Sequence, residues 1–516
     1  PNPKAVAFLA PQDPRYSFSQ VEIYVVELGS RRTTKLSSDI DLGIEEFAWS
    51  SDSRSLIVDV EAGTQSALYR LSLADLSIDP ILTGAQYISA LSGKNDKLAV
   101  VFETAATAPE IGLVQLDGRA LDALTKVNEL DAEIELPTQR VITYRSTENA
   151  EIEAVLWEPV GVSSVAKYPA VLELHGGPDD RTTNTMFNRL PQYLAANGYV
   201  VLSPNYRGSQ GYYAEFNVAN VNDLGGRDYQ DVMAGVDYLE ALGYVDPDAI
   251  GITGGSYGGY LTNWAISQSN RFAAAVSAFG IFNFFTDYGG SEFAYWEREY
   301  LGEYWEDDSI WLARSPSSYA AQITTPVLIM HGEEDPNTFI TNSMEMYRAL
   351  LDMGRTVEFV KLPREGHGFD EPQHRVIEME WTLDWFDRYL QPSRSFAVSG
   401  EIVSSKTATL TFMSAQKMTL KRLPPPEGQY VLLRLELSSR ASESPTLSID
   451  DDFMLVTPDY QRCLASGLLV QSQLVTGASI ELRREVFTPE IIFDLPKDAT
   501  EATLRVEGFA PLRIRF

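Results

Sequence analysis

From residue 139 to 391 short apolar runs alternate with amphipathic stretches. That rhythm calls for a parallel sheet covered by helices on both faces. The apolar runs fall at 169–174, 199–202, 249–252, 274–276, 326–330 and 357–360. Helical periodicity falls at about 186–196, 229–242, 258–268, 341–353 and 374–390. Sheets of this kind carry their functional groups at the C-terminal ends of the strands.

On either side the rhythm is that of strands without long helices. In residues 1–138, Val6–Phe8, Leu56–Val58 and Leu98–Val100 form one recurring set, and Ile23–Val25, Leu68–Arg70 and Gly112–Val114 a second. Lys35–Leu36, Ile81–Leu82 and Ala123–Leu124 form a third. The period of 42–50 residues is that of a four-stranded propeller blade. About three blades are legible where a closed propeller needs four or more, so a partial propeller is expected. Residues 392–516 read as a β-sandwich, with strands at 431–435, 480–482, 491–493 and 512–516. The run Asp450–Asp452 suits a solvated turn better than a calcium site. The expected fold class is therefore α/β, with an N-terminal partial β-propeller and a C-terminal β-sandwich.

Composition narrows the function. With 72 acidic against 41 basic residues the formal charge is −31, which disfavours nucleic acid and anionic membrane as partners. The single cysteine, Cys463, excludes a disulfide within the chain and a Cys-based zinc site. No apolar run approaches the roughly eighteen residues of a membrane helix.

Gly254-Gly255-Ser256-Tyr257-Gly258 fits G-x-S-x-G between a strand and a helix. Small neighbours let such a turn lift the serine hydroxyl clear of the sheet, towards the helix N-terminus. A serine hydroxyl needs a base, and the base an orienting acid, in the chain order serine, acid, histidine. Of four histidines, His175 precedes the serine and His331 precedes the best acid, which suits structural or pocket-lining roles. His374 begins an amphipathic helix and reads as a surface residue, leaving His367, between two glycines, as the base. Asp335, past the run 326–330, is the acid, with Glu333 and Glu334 as competitors.

The developing oxyanion needs two fixed donors. The backbone N–H of Tyr257 and that of Gly177, in His175-Gly176-Gly177-Pro178, are the candidates, with a plain Gly-Pro turn as the alternative for the latter. Tyr206 and Arg207 follow another strand end and are candidate substrate contacts, although an ion-pair role for Arg207 is equally open. Phe282 and Phe285, among Phe279, Phe284 and Tyr288, are candidates for an apolar side-chain pocket or for plain core.

HGGP at 175–178, NYRGSQGY at 205–212, GGSYGGY at 254–260, HGEED at 331–335 and REGHGF at 364–369 make the chain resemble the prolyl oligopeptidase family of serine peptidases. The likeness covers 139–391 closely and 1–138 loosely, and is strongest to the acylaminoacyl-peptidase and dipeptidyl-peptidase branches. It implies an α/β-hydrolase domain at 139–391 with Ser256 as nucleophile, His367 as base and Asp335 as acid. It also implies a propeller that caps the site and admits short peptides. Asn337, two beyond the acid, stands where some acylaminoacyl peptidases have Arg, and the dipeptidyl branch often has Asn. The paired propeller glutamates that hold a free N-terminus in that branch are not found, and Glu45-Glu46 does not match them. The family propeller has about six to eight blades. The remainder is expected from an N-terminal piece, lost by proteolysis or held as a separate polypeptide, or from another copy of the chain.

The expected activity is hydrolysis of short peptides near their N-terminus through an acyl-enzyme, with no metal or organic cofactor. The alternative is a small-molecule esterase or amidase using the same triad. A cytoplasmic location is expected, with periplasmic and secreted locations left open.

Overall fold

A computed structural model describes residues 4–390, apart from 38–39, 95–96, 117–119, 129–134 and 187, and beyond 390 the backbone of strand segments between 402 and 515. The Asp450–Asp452 run lies outside the described residues. The chain divides into two compact units, Pro1–Gln391 and Pro392–Phe516. In the second, most of the described strands pair antiparallel along one path from Ile402–Ser404 to Leu512–Arg515, with Gln473–Val475 beside that path and Thr446–Ser448 and Ser479–Glu481 paired as a separate two-stranded sheet.

The first unit opens with three antiparallel sheets. They comprise β1 (Ala5–Pro11), β2 (Val21–Glu27) and β3 (Thr33–Lys35); β4 (Ile44–Trp49), β5 (Ser55–Ala62), β6 (Gln65–Ser72) and β7 (Ile78–Leu82); and β8 (Tyr87–Lys94), β9 (Lys97–Thr104), β10 (Thr107–Gln115) and β11 (Ala120–Ala123). The three recurring sequence sets fall on β1, β5 and β9, on β2, β6 and β10, and on β3, β7 and β11. The first sheet thus has one strand fewer than the others. Alternate residues of β5 serve two cores: Leu56, Val58 and Val60 face the first sheet and Ile57 the third.

The α/β portion is an eight-stranded sheet built from β12 (Thr138–Arg145), β13 (Glu151–Glu158), β14 (Tyr168–Leu174), β15 (Val200–Pro204), β16 (Val245–Gly255), β17 (Ala274–Ala278), β18 (Val327–Gly332) and β19 (Val357–Leu362). Its order is β12-β13-β15-β14-β16-β17-β18-β19. The sheet is mixed, not wholly parallel as expected, because β12 and β13 run antiparallel at one edge. Charged residues at Arg140, Arg145, Glu151, Glu153 and Glu158 interrupt the apolar pattern of that hairpin and hide it in the sequence.

The helices are α1 (Arg189–Ala196), α2 (Ala214–Asn217), α3 (Arg227–Ala241), α4 (Tyr257–Gln268), α5 (Phe284–Gly290), α6 (Tyr295–Leu301), α7 (Ser309–Arg314), α8 (Thr341–Asp352) and α9 (Pro372–Leu390). On β14, Ala170, Leu172 and Leu174 share a core with residues of α3, α4 and α8, while Val171 shares the core on the other face with residues of α1 and α9. Burial on both faces explains why the central strands read as unbroken apolar runs. The expected His374 surface position is overturned: the ring is buried in α9, with Nδ1 2.6 Å from Glu365 Oε1.

Arg181 ties the second propeller sheet to the α/β sheet. Its Nη1 donates to the carbonyls of Gly63 and Gln65 at 2.7 and 2.9 Å, beside the carboxylates of Glu61 and Glu45. Nearby, Asp59 is 2% exposed and its Oδ1 has no hydrogen-bond partner. Burial, then the charge of Glu45, pushes its pKa up to about 8 from an ordinary 3.8. The folded chain therefore keeps a proton that the unfolded chain has released between about pH 4 and 8, so this group lowers stability as pH rises through that window. Asp59→Asn is expected to raise Tm at pH 8 by roughly 2–4 °C, with the gain fading towards pH 4–5. Equal gains at both pH values in thermal melts would refute this account.

Candidate active site

The last residue of β16 leads straight into α4 through Ser256, whose backbone sits at φ 56° and ψ −120°. This strained left-handed turn is held by the Ser256 N–H donating to Ala278 O at 3.0 Å, across to β17. The turn closes only because its neighbours are small. A Cβ on Gly258 would lie 2.1 Å from Leu174 O, and one on Gly254 2.5 Å from the Gly258 carbonyl carbon.

The residue three positions past β18 is Asp335, which is buried, whereas Glu333 and Glu334 point to solvent. The loop after β19 brings His367 over the elbow. His367 Nε2 lies 2.8 Å from Ser256 Oγ, and Nδ1 lies 2.8 and 3.1 Å from the two oxygens of Asp335. Asp335 Oδ1 also accepts the N–H groups of Asn337 (2.8 Å) and Thr338 (3.2 Å). Burial works to raise the Asp335 pKa, but hydrogen bonds from His331 and His367 outweigh it and hold the carboxyl below its ordinary value. Phe279 packs edge-on against the His367 ring at 5.0 Å between centroids.

The other histidines are structural. His331 is buried, with Nε2 donating to Thr338 O (2.7 Å) because a carbonyl only accepts, and Nδ1 2.7 Å from Ser343 Oγ. His175 stacks on Tyr206 at 4.2 Å and donates through Nδ1 to Gly176 O. Burial lowers its pKa below the ordinary imidazole value. Glu365, Glu371 and His374 gather within metal-ligand reach of one another. Their atoms are already engaged, Glu365 by the N–H groups of Asp370 and Glu371 and by His374, and Glu371 by Arg364.

Ser256 and His367 open onto a cavity of about 250 Å³ lined also by Gly177, Tyr257 and Asn337. The loop of Gly177 (φ +101°) lies against the serine, since a Cβ on Gly176 would touch Ser256 Cβ at 3.4 Å. The Tyr257 side chain turns away, its hydroxyl donating to buried Asp228, which leaves its backbone at the cavity.

Four expected substrate contacts do not line this cavity. Arg207 is buried in an ion pair with Asp231 (2.7 Å) and reaches Glu148 (3.1 Å). Tyr206 is fully buried, its hydroxyl donating to His175 O at 2.6 Å. Phe282 is core, with its N–H on Asn342 Oδ1. Phe285 packs against Tyr304 and Trp311. The lining comes instead from Asp179 and from α5, α6 and their connection: Asp287, Phe293, Tyr295, Trp296 and Glu297. These helices of seven residues are too short to show a period, so only aromatic density marks them along the chain.

The strand order and crossovers make this an α/β-hydrolase sheet preceded by propeller-like sheets. Residues 184–393 match the prolyl oligopeptidase family. It is 34% identical over 357 residues to the uncharacterized peptidase YuxL of Bacillus subtilis, covering 66% of this chain and 53% of that one. To dipeptidyl-peptidase 5 of Porphyromonas gingivalis it is 26% identical over 402 residues, 76% of this chain and 58% of that one. Among solved structures, Pyrococcus horikoshii acylaminoacyl peptidase superposes with a TM-score of 0.69 at 26% identity, covering 75% of this chain and 62% of that one. The chain spans little more than half the length of the curated relatives it matches. No helix among the described residues is long and apolar enough to cross a membrane.

Gly258→Ala is expected to drive Cβ into Leu174 O, lower stability by roughly 1–3 kcal/mol and abolish labelling of Ser256 by a phosphonate probe. Full labelling with an unchanged melting temperature would contradict the steric argument.

Proposed function

We propose that the chain is a serine peptidase that hydrolyses short peptides near their N-terminus, in the manner of the acylaminoacyl and dipeptidyl peptidases. The observation that carries this reading is the unbroken relay from Ser256 Oγ through His367 to buried Asp335, at the mouth of a cavity large enough for a side chain or two. The match of residues 184–393 to a peptidase family and the peptidase names of its relatives support it.

In this mechanism Ser256 Oγ attacks the scissile carbonyl as His367 Nε2 takes its proton. Asp335 holds Nδ1–H and stabilises the imidazolium, a role suited to a carboxylate kept ionised. The backbone N–H groups of Tyr257 and Gly177 stabilise the oxyanion. His367 then protonates the leaving amine, giving an acyl-serine, and later activates the water that releases the acyl group. The cap in this reading is a partial propeller over 1–138, the catalytic domain is 139–391, and 392–516 is a β-sandwich.

Ser256→Ala is expected to lose phosphonate labelling and peptide hydrolysis together. Asp335→Asn is expected to keep the fold and drop kcat by about 10⁴. Efficient turnover of esters with no cleavage of peptide substrates would replace the peptidase reading by an esterase.

A further inference from the structure

The cavity over Ser256 is lined by three carboxyl groups, Asp179, Asp287 and Glu297, and by no lysine or arginine among its described lining residues. None of the three belongs to the Ser256–His367–Asp335 relay. Glu297 is only 1% exposed; its carboxyl group interacts with the Asp287 carboxyl, and no donor of good geometry reaches either oxygen. Asp287, 4% exposed, is held at Oδ1 by Asn342 Nδ2 at 2.8 Å. Burial first, then the charge of Glu297, pushes Asp287 well above the ordinary carboxylate range, and burial likewise raises Glu297. Burial also pushes Asp179, elsewhere on the lining, up to about 6. A buried carboxylate without donors is unfavourable unless a bound group supplies them. An ammonium or guanidinium brings both the donors and the missing positive charge.

We infer that Asp287 and Glu297, with Asp179 on the same cavity, form a subsite for a cationic group of the substrate, a free N-terminal ammonium or the side chain of lysine or arginine. The inference rests on the reading of this cavity as the substrate site of a serine hydrolase. In an acyl-enzyme mechanism the cation adds binding energy and orientation, and takes no part in bond making.

The test uses the full chain and matched p-nitroanilides. One pair is N-acetyl-lysine against N-acetyl-norleucine, which isolates a side-chain cation. The other is Gly-Phe with a free amine against N-acetyl-Gly-Phe, which isolates the terminal ammonium. In the wild-type chain kcat/KM should favour the charged member of at least one pair by roughly tenfold or more, and that pair identifies the source. In Asp287→Asn and Glu297→Gln the charged-to-neutral ratio should fall towards one, whatever happens to the absolute rates. Should these variants fail to fold, the wild-type ratios stand with a competition assay, in which n-butylammonium inhibits hydrolysis of an uncharged ester more strongly than n-butanol does. Preference for neither charged substrate, ratios untouched by both variants, or equal inhibition by amine and alcohol would overturn the subsite. Phosphonate labelling of Ser256 and turnover of the uncharged ester report the hydrolase reading separately.

Discussion

The turn from β16 into α4 is the constraint around which the site is organised. Leu174 O on β14 stands so close to Gly258 that no side chain fits between them, and the serine between strand and helix is held in a left-handed conformation. Such strain persists only where the surroundings over-determine it. Here they do so by packing α4 on the central strands: Tyr257, Tyr260, Leu261, Trp264 and Ile266 of the helix are all buried in the core beneath it. The nucleophile is thus presented by a strand-to-helix junction backed by a buried helix, while its histidine arrives on a loop.

That loop is braced rather than free. A Cβ on Gly332 would lie 2.4 Å from the carbonyl oxygens of Glu365 and Gly366, so the strand end bearing the acid and the loop bearing the base are in backbone contact. Glu334 N–H donates to Glu365 O, and the Glu365 carboxylate gathers two further backbone N–H groups and the His374 ring. His374, a surface residue by its place at a helix start, is in fact part of this brace. Helical position alone says nothing about a loop that folds back over the helix.

How much was legible follows from where information is local. The central strands, the five longer helices and the Ser256, Asp335 and His367 motifs are written in contiguous residues, each with its own pattern, and the structure brings the three side chains within hydrogen-bond distance. The substrate wall is not local. Arg207 and Tyr206 stand at a strand end, where a contact with ligand is a fair expectation. What decides their fate is Asp231 on α3 and the His175 carbonyl, both distant in the chain. Likewise the aromatic run near Phe282 and Phe285 names a packing cluster without saying which members face a cavity. The pocket is faced instead by residues from α5 and α6, whose shortness leaves no periodicity to read.

Arg181 stands a few residues after Gly177 on the same loop, and its guanidinium is clamped on the Gly63 and Gln65 carbonyls at the β5–β6 turn. Asn184 N–H meets Thr64 O and Gly63 N–H meets Gly211 O at the same seam. The strip of backbone bordering the serine is therefore anchored at this seam to the hairpin of the second antiparallel sheet. Sequence drift in a remote-looking hairpin can in this way retune access to the reaction centre without altering any residue that touches the reacting atoms.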